Sequence, residues 1–119
     1  MVERLDREGM DVASHTVDHL PLPSLDPSRR AYELTESRRA LEAHLGHPVR
    51  WFAYPIGPYD AASEQSVREA GYLLAFTTAP GARLTAADAM AEPRVRVHGL
   101  GASLSGFEAA MTAAEQGGA

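Results

Sequence analysis

Apolar and polar positions follow two rhythms along this chain. Val2 and Leu5, closed by Gly9, read as the end of a helix with a glycine stop, and Met10 to Ser14 then read as a short strand. Asp26 before Pro27 has the form of an N-cap with proline at the first helical position. Ala31, Leu34, Leu41 and Leu45 then keep one apolar face until Gly46 ends the helix. After Pro48, "VRWFAY" predicts a second strand and "PIGPYD" a loop whose Asp60 caps a helix running to about Ala70, stopped by Gly71. "YLLAFTT" is continuously apolar, as expected of a strand buried on both faces. In "RVRVHG", Arg94 and Arg96 alternate with Val95 and Val97, which suits a strand at an edge or half-exposed position. Ser105 and Glu108 have capping-box spacing for a last helix over 105–115. Strands alternating with helices predict βα units, hence an α/β fold on a parallel sheet with right-handed crossovers.

Composition narrows the function classes. With 119 residues, 45% of them hydrophobic and 23% charged, the chain is expected to form one globular domain, residues 1–119. Eleven Lys and Arg against sixteen Asp and Glu give a net charge of -5, so no basic field attracts nucleic acid or an anionic membrane, and neither is expected as a partner. Without cysteine there are no disulfides and no thiolate metal ligands. No apolar run approaches the roughly 18 residues of a membrane span, and the charged start "MVERLDREGM" does not resemble a signal-peptide core. A soluble chain is therefore expected, with its compartment left open.

Topology predicts where chemistry sits. In parallel α/β folds the ligand site lies beyond the carboxyl ends of the strands. Those ends carry His15 and His19, then Tyr54 to Gly57, then Thr77 and Thr78, then His98. His15 and His19 stand four apart with Asp18 between them, a spacing that suits two imidazole ligands of one metal ion. On spacing alone a second account stays open, in which His15 caps the next turn or bonds a backbone carbonyl and His19 is a surface residue.

Several motifs occur together. "GMDVASHTVDHLPL", "WFAYPIGPYD", "GYLLAFTTAPG" and "PRVRV", in this order, resemble the polysaccharide deacetylases of carbohydrate esterase family 4, over about Leu5 to Val97. The resemblance implies a deacetylase-type (β/α) barrel, here partial, with about four parallel strands alternating with helices. It implies metal-dependent hydrolysis of N- or O-acetyl groups on sugars, with a carbohydrate as substrate. His15 and His19 would then be ligands of a divalent metal, usually zinc. Ile56 would offer its backbone N–H to the oxyanion, as the tyrosine at the matching motif position does. Tyr54, Pro55 and Gly57 would border the substrate, and His98 is the candidate general acid.

The family's Thr-Phe-Asp-Asp-Gly motif, which supplies a third metal ligand and the catalytic base, has no counterpart between Met1 and Ala119, and Ala53 stands where many members carry arginine. Asp18 is a poor substitute, since it adjoins His19 and would have to turn back onto the same ion. The expectation is a hydrolase whose acidic motif lies upstream of Met1, with residues 1–119 alone inactive. The alternative is a non-catalytic carbohydrate-binding or remnant domain of the same fold. About four strands are half of what an eight-stranded barrel of roughly 250 residues contains. Either a missing N-terminal segment or a homo-oligomer is therefore expected to cover the strands left open.

Overall fold

A computed structural model describes residues 1–81, 83–94, 108 and 112. Helix α1 spans Val2–Arg7. It closes as the glycine-stopped pattern predicts: Gly9 takes φ 94°, its N–H reaches Asp6 O at 3.1 Å, and Met10 N–H reaches Leu5 O at 3.0 Å, the paired bonds of a Schellman ending. Met10 to Ser14 does not form the expected strand. Ser14 alone makes a parallel bridge, to Phe52. A 3-10 turn over Leu22–Ser24 follows.

Helix α2 spans Pro27–Leu45, with Asp26 accepting the Arg29 N–H at 2.8 Å and Gly46 ending it at φ 77°. Its inward face differs from the apolar stripe predicted for it. Ala31 is exposed, and the buried positions are Arg30, Glu33, Leu34 and Ser37. Hydrophobic periodicity assigns polar side chains to water, but these three are inside because each finds partners there. Arg30 donates to Leu25 O and Ser66 Oγ, and Ser37 shares a 2.7 Å hydrogen bond with Ser14 Oγ.

Strand β1, Trp51–Ala53, leads to α3, Ala61–Glu69, through the "YPIGPYD" loop. Asp60 caps α3 with a reciprocal bond: Ser63 N–H reaches its side chain and its own N–H reaches Ser63 Oγ, both at 2.7 Å. Strand β2, Leu74–Pro80, and strand β3, Glu92–Arg94, complete a parallel sheet of order β1-β2-β3. Three strands are thus present among the described residues where about four were expected. The last begins at Glu92, two residues before its predicted start. The rest of that predicted strand, His98 included, lies outside the described residues, as does the predicted helix over 105–115 apart from Glu108 and Thr112, both helical.

Helices cover one side of the sheet. Phe52 and its registered neighbour Ala75 point into a core with Leu22, Leu34, Val49, Tyr54, Val67, Tyr72 and Met90. Phe52 meets Tyr54 edge-on and Tyr72 at a tilt, each at 5.3 Å between centroids, arrangements that aromatic quadrupoles favour. The opposite face of β2 is not buried as expected, since Leu74 and Phe76 are half-buried and Thr78 is exposed. The strand therefore alternates despite its continuous apolarity. Every buried side-chain nitrogen and oxygen among the described residues has a hydrogen-bond partner. None of their helices is long and apolar enough to cross a membrane.

Candidate metal site

The residue before the histidine pair is held from two sides. Ser14 N–H donates to Trp51 O at 2.8 Å and Ser14 O accepts from Ala53 N–H at 2.9 Å, while its hydroxyl meets Ser37 of α2. His15 therefore leaves the sheet edge at a fixed point. Its Nδ1 lies 2.7 Å from Ala53 O. A carbonyl only accepts, so Nδ1 carries the proton, and in the neutral ring Nε2 is the nitrogen that keeps its lone pair.

The chain then turns tightly. Thr16 (φ 69°) and His19 (φ 56°) both adopt the left-handed region, and Thr16 Oγ1 accepts the His19 N–H at 3.0 Å. The turn brings the two imidazole centroids to 4.8 Å, inclined at 57°, with both side chains exposed. Two exposed imidazoles at this distance, one with its Nδ1 already bonded, fit two ligand positions of a divalent metal site. Among the described residues no third His, Cys, Asp or Glu gathers with them. Asp18 does not, because Arg29 pairs with its carboxylate and Glu33 accepts its N–H at 3.0 Å.

Glu33 does not stand out in the sequence, where it is one acid among many on a charged helix. Its side chain is fully buried and bonded to the histidine loop and to Arg29. Burial pushes its carboxyl up, but the amides of Asp18 and Val17 and the Arg29 guanidinium outweigh that and hold it below the ordinary carboxylate range. An acid in the second turn of α2, directly before the apolar Leu34, is the available signal.

The second loop meets the first. Ala53, whose carbonyl holds His15, opens the run Tyr54-Pro55-Ile56-Gly57. Tyr54 is buried, with its hydroxyl donating to Met90 O at 2.8 Å, and burial raises the pKa of that hydroxyl far above its ordinary value. Pro55 is buried too, so these two residues shape the loop and present no free side chain. Ile56 is the outward tip, 63% exposed at φ 66°, a conformation that β-branched residues rarely adopt. Gly57 passes so close to β2 that a Cβ on it would lie 2.2 Å from Thr78 Oγ1, at φ 114°. The structure thus joins His15, His19, residues 53–57 and Thr78 at the carboxyl ends of the strands, the end at which the topology predicts a site. Three of its residues, Thr16, His19 and Ile56, are the non-glycine residues with positive φ among those described. Such strain concentrates where surrounding structure enforces a particular geometry.

Residues 1–75 match the profile of a family described as polysaccharide deacetylase. The chain is 29% identical over 96 residues to the Bacillus subtilis protein YxkH, whose name assigns it provisionally to the polysaccharide deacetylases, covering 81% of this chain and 34% of that protein. It superimposes on the Streptococcus pyogenes deacetylase PplD, determined with acetate, at a TM-score of 0.83 and 26% identity, covering 92% of this chain and 48% of the other. The Bacillus cereus polysaccharide deacetylase BC0361 gives 0.81 and 28%, with 92% and 34% covered. The chain spans between a third and a half of the length of these relatives.

Proposed function

The chain belongs to the polysaccharide deacetylase family, and on that premise we propose that it carries the imidazole half of a metal-dependent site that removes acetyl groups from N-acetylated sugars. The observation that carries this reading is the His15–His19 pair, with Nδ1 of His15 bonded to Ala53 O and the two rings 4.8 Å apart. His15 and His19 hold the metal, zinc being suited to imidazole and oxygen ligands. Bound there, a divalent ion supplies polarisation of the acetyl carbonyl and a water of lowered pKa.

The chain's own residues do the rest. Ile56, turned outward at φ 66°, offers its N–H to the oxyanion. A main-chain donor of this kind is indifferent to the side chain it sits under. Tyr54, Pro55 and Gly57, themselves buried, hold the loop that presents Ile56 toward the sugar. A hollow lined by Ala13, His15, Thr16 and Val17 against Glu36, Ser37, Ala40 and Leu41 opens beside His15. It provides room for a further carboxylate or part of the substrate. The third ligand and base is a carboxylate from outside the described residues, since Arg29 engages Asp18 and Asp60 caps α3. His98 is the candidate acid for the leaving amine.

Acetate release from N-acetylglucosamine oligomers tests this. Residues 1–119 alone are expected to stay at the level of a metal-only control. Addition of an upstream strand bearing an Asp-Asp pair is expected to give activity that His15→Ala and His19→Ala abolish. Oligomer binding without turnover in both forms would instead favour a non-catalytic carbohydrate-binding domain.

A further inference from the structure

The turn between the two imidazoles has little to hold it from within. Its residues are mostly exposed, two of them sit at positive φ, and Thr16 makes one internal bond, to the His19 N–H. What reaches its backbone amides from outside is a side chain of α2. Glu33 Oε2 accepts the Val17 N–H at 2.8 Å and the Asp18 N–H at 3.0 Å. Its other oxygen accepts from Arg29 Nε at 3.2 Å and Nη2 at 3.0 Å. Consecutive amides that follow a left-handed residue form a concavity suited to an anion, and here the anion is the protein's own. The same Arg29 pairs with the Asp18 carboxylate and so holds the turn a second time.

We infer that Glu33 is the positioning residue of the His15–His19 pair: its buried carboxylate, balanced by Arg29, fills the amide concavity of the turn and fixes the spacing of the two rings. Without that carboxylate, Val17 and Asp18 lose their acceptor and Arg29 its anchor, and the left-handed conformations at Thr16 and His19 lose the contacts that enforce them. Glu33 touches neither imidazole. Its effect on a ligand passes through the backbone, as partners behind metal ligands act on affinity. The inference rests on the metal-site reading for its consequence, not for its geometry.

Glu33→Gln keeps the shape and removes the charge. In the metal-free protein, hydrogen exchange at the Val17 and Asp18 amides is expected to rise at least tenfold, and the ring-to-ring nuclear Overhauser effect between His15 and His19 to weaken. Zinc affinity by calorimetry is expected to fall about tenfold or more. Arg38→Met is the control, because Arg38 holds Ala70 O at the end of α3 instead of the histidine loop. It should lower the melting temperature and leave zinc affinity unchanged. If Glu33→Gln does not fold, Arg29→Met, at a half-exposed side chain, should move the same observables in the same direction by less. Unchanged amide exchange and an unchanged ring contact in the folded variant would overturn the assignment. If wild-type protein binds no zinc, or His15→Ala binds it equally well, the metal reading falls, and Glu33 is still judged by the exchange and ring-contact measurements.

Discussion

His15 donates its Nδ1 proton to the carbonyl oxygen of Ala53 across 2.7 Å, and this bond ties the first histidine to the loop that carries Ile56. Ser14 pairs with β1, β1 ends at Ala53, and the next residues turn outward with Ile56 at the tip. One backbone carbonyl therefore sets the ring's tautomer and the distance between the two halves of the site.

Zinc titration of the folded chain should show weak binding, because two imidazoles lack the carboxylate that would complete the ligand set and help neutralise the ion. His15→Ala and His19→Ala should each abolish it. Ala53 acts through its carbonyl, so Ala53→Gly should retain it. Binding unchanged in both histidine variants would remove the metal assignment.

Ile56 and Gly57 should respond in opposite directions. A β-branched residue at φ 66° stores roughly 1–3 kcal/mol, and at 63% exposure little burial compensates. Asparagine tolerates the left-handed region better, so Ile56→Asn should stabilise the protein by about 1 kcal/mol, a rise of several degrees in melting temperature. Gly57→Ala places its Cβ against Thr78 and should cost at least about 2 kcal/mol. A lower melting temperature for Ile56→Asn would contradict the strain argument.

Local chemistry explains which parts of the fold the sequence made visible. Asp26, Gly46, Asp60 and Gly71 punctuate helices through bonds and φ values that depend on those residues themselves, and α2 and α3 lie where they predict. The histidine pair and the 53–57 loop were found because strand ends are ordered along the chain. Glu33 was not, since a buried carboxylate owes its place to partners at Val17, Asp18 and Arg29 that no periodicity encodes. The strand expected over 10–14 failed for a related reason: Asp11 and Ala13 are exposed, and only Ser14 finds a pairing partner.

Self-association is the expected consequence of the open face of the sheet. Leu73 is 58% exposed, and Leu74 and Phe76 of β2 are half-buried, so neighbouring apolar surface faces water. Residues 1–119 should form a dimer or higher oligomer, and Leu73→Ser should shift the distribution toward monomer. A monodisperse monomer by light scattering at high concentration would refute this.

The attachment of α1 should depend on pH, with opposite signs from two ion pairs. None of α1's residues is buried, and His44 Nδ1 meets Glu3 Oε1 at 3.0 Å while His47 Nε2 meets Asp6 Oδ1 at 2.8 Å. His47 Nδ1 also faces Pro48 O at 3.1 Å, so both ring nitrogens address oxygen acceptors and the doubly protonated ring satisfies both. The Pro48 carbonyl first, then Asp6, raises the His47 pKa above 6.5, with Glu42 adding a smaller pull. A raised folded pKa gives stabilisation that is full below the unfolded value of about 6.5 and disappears as pH climbs through the folded one. Glu3 behaves inversely. Its carboxyl is held below 4.5 by its own backbone amide and by His44, so its contribution is present above that value and disappears as pH falls through the folded pKa. The α1 amides should therefore be best protected from hydrogen exchange between about pH 4.5 and 6.5, and less protected at pH 8.5 after correction for intrinsic rates. His47→Gln should flatten the alkaline side of that profile and leave the acidic side in place. Equal corrected protection of α1 at pH 5.5 and 8.5 in the wild-type protein would show that His47 does not hold it.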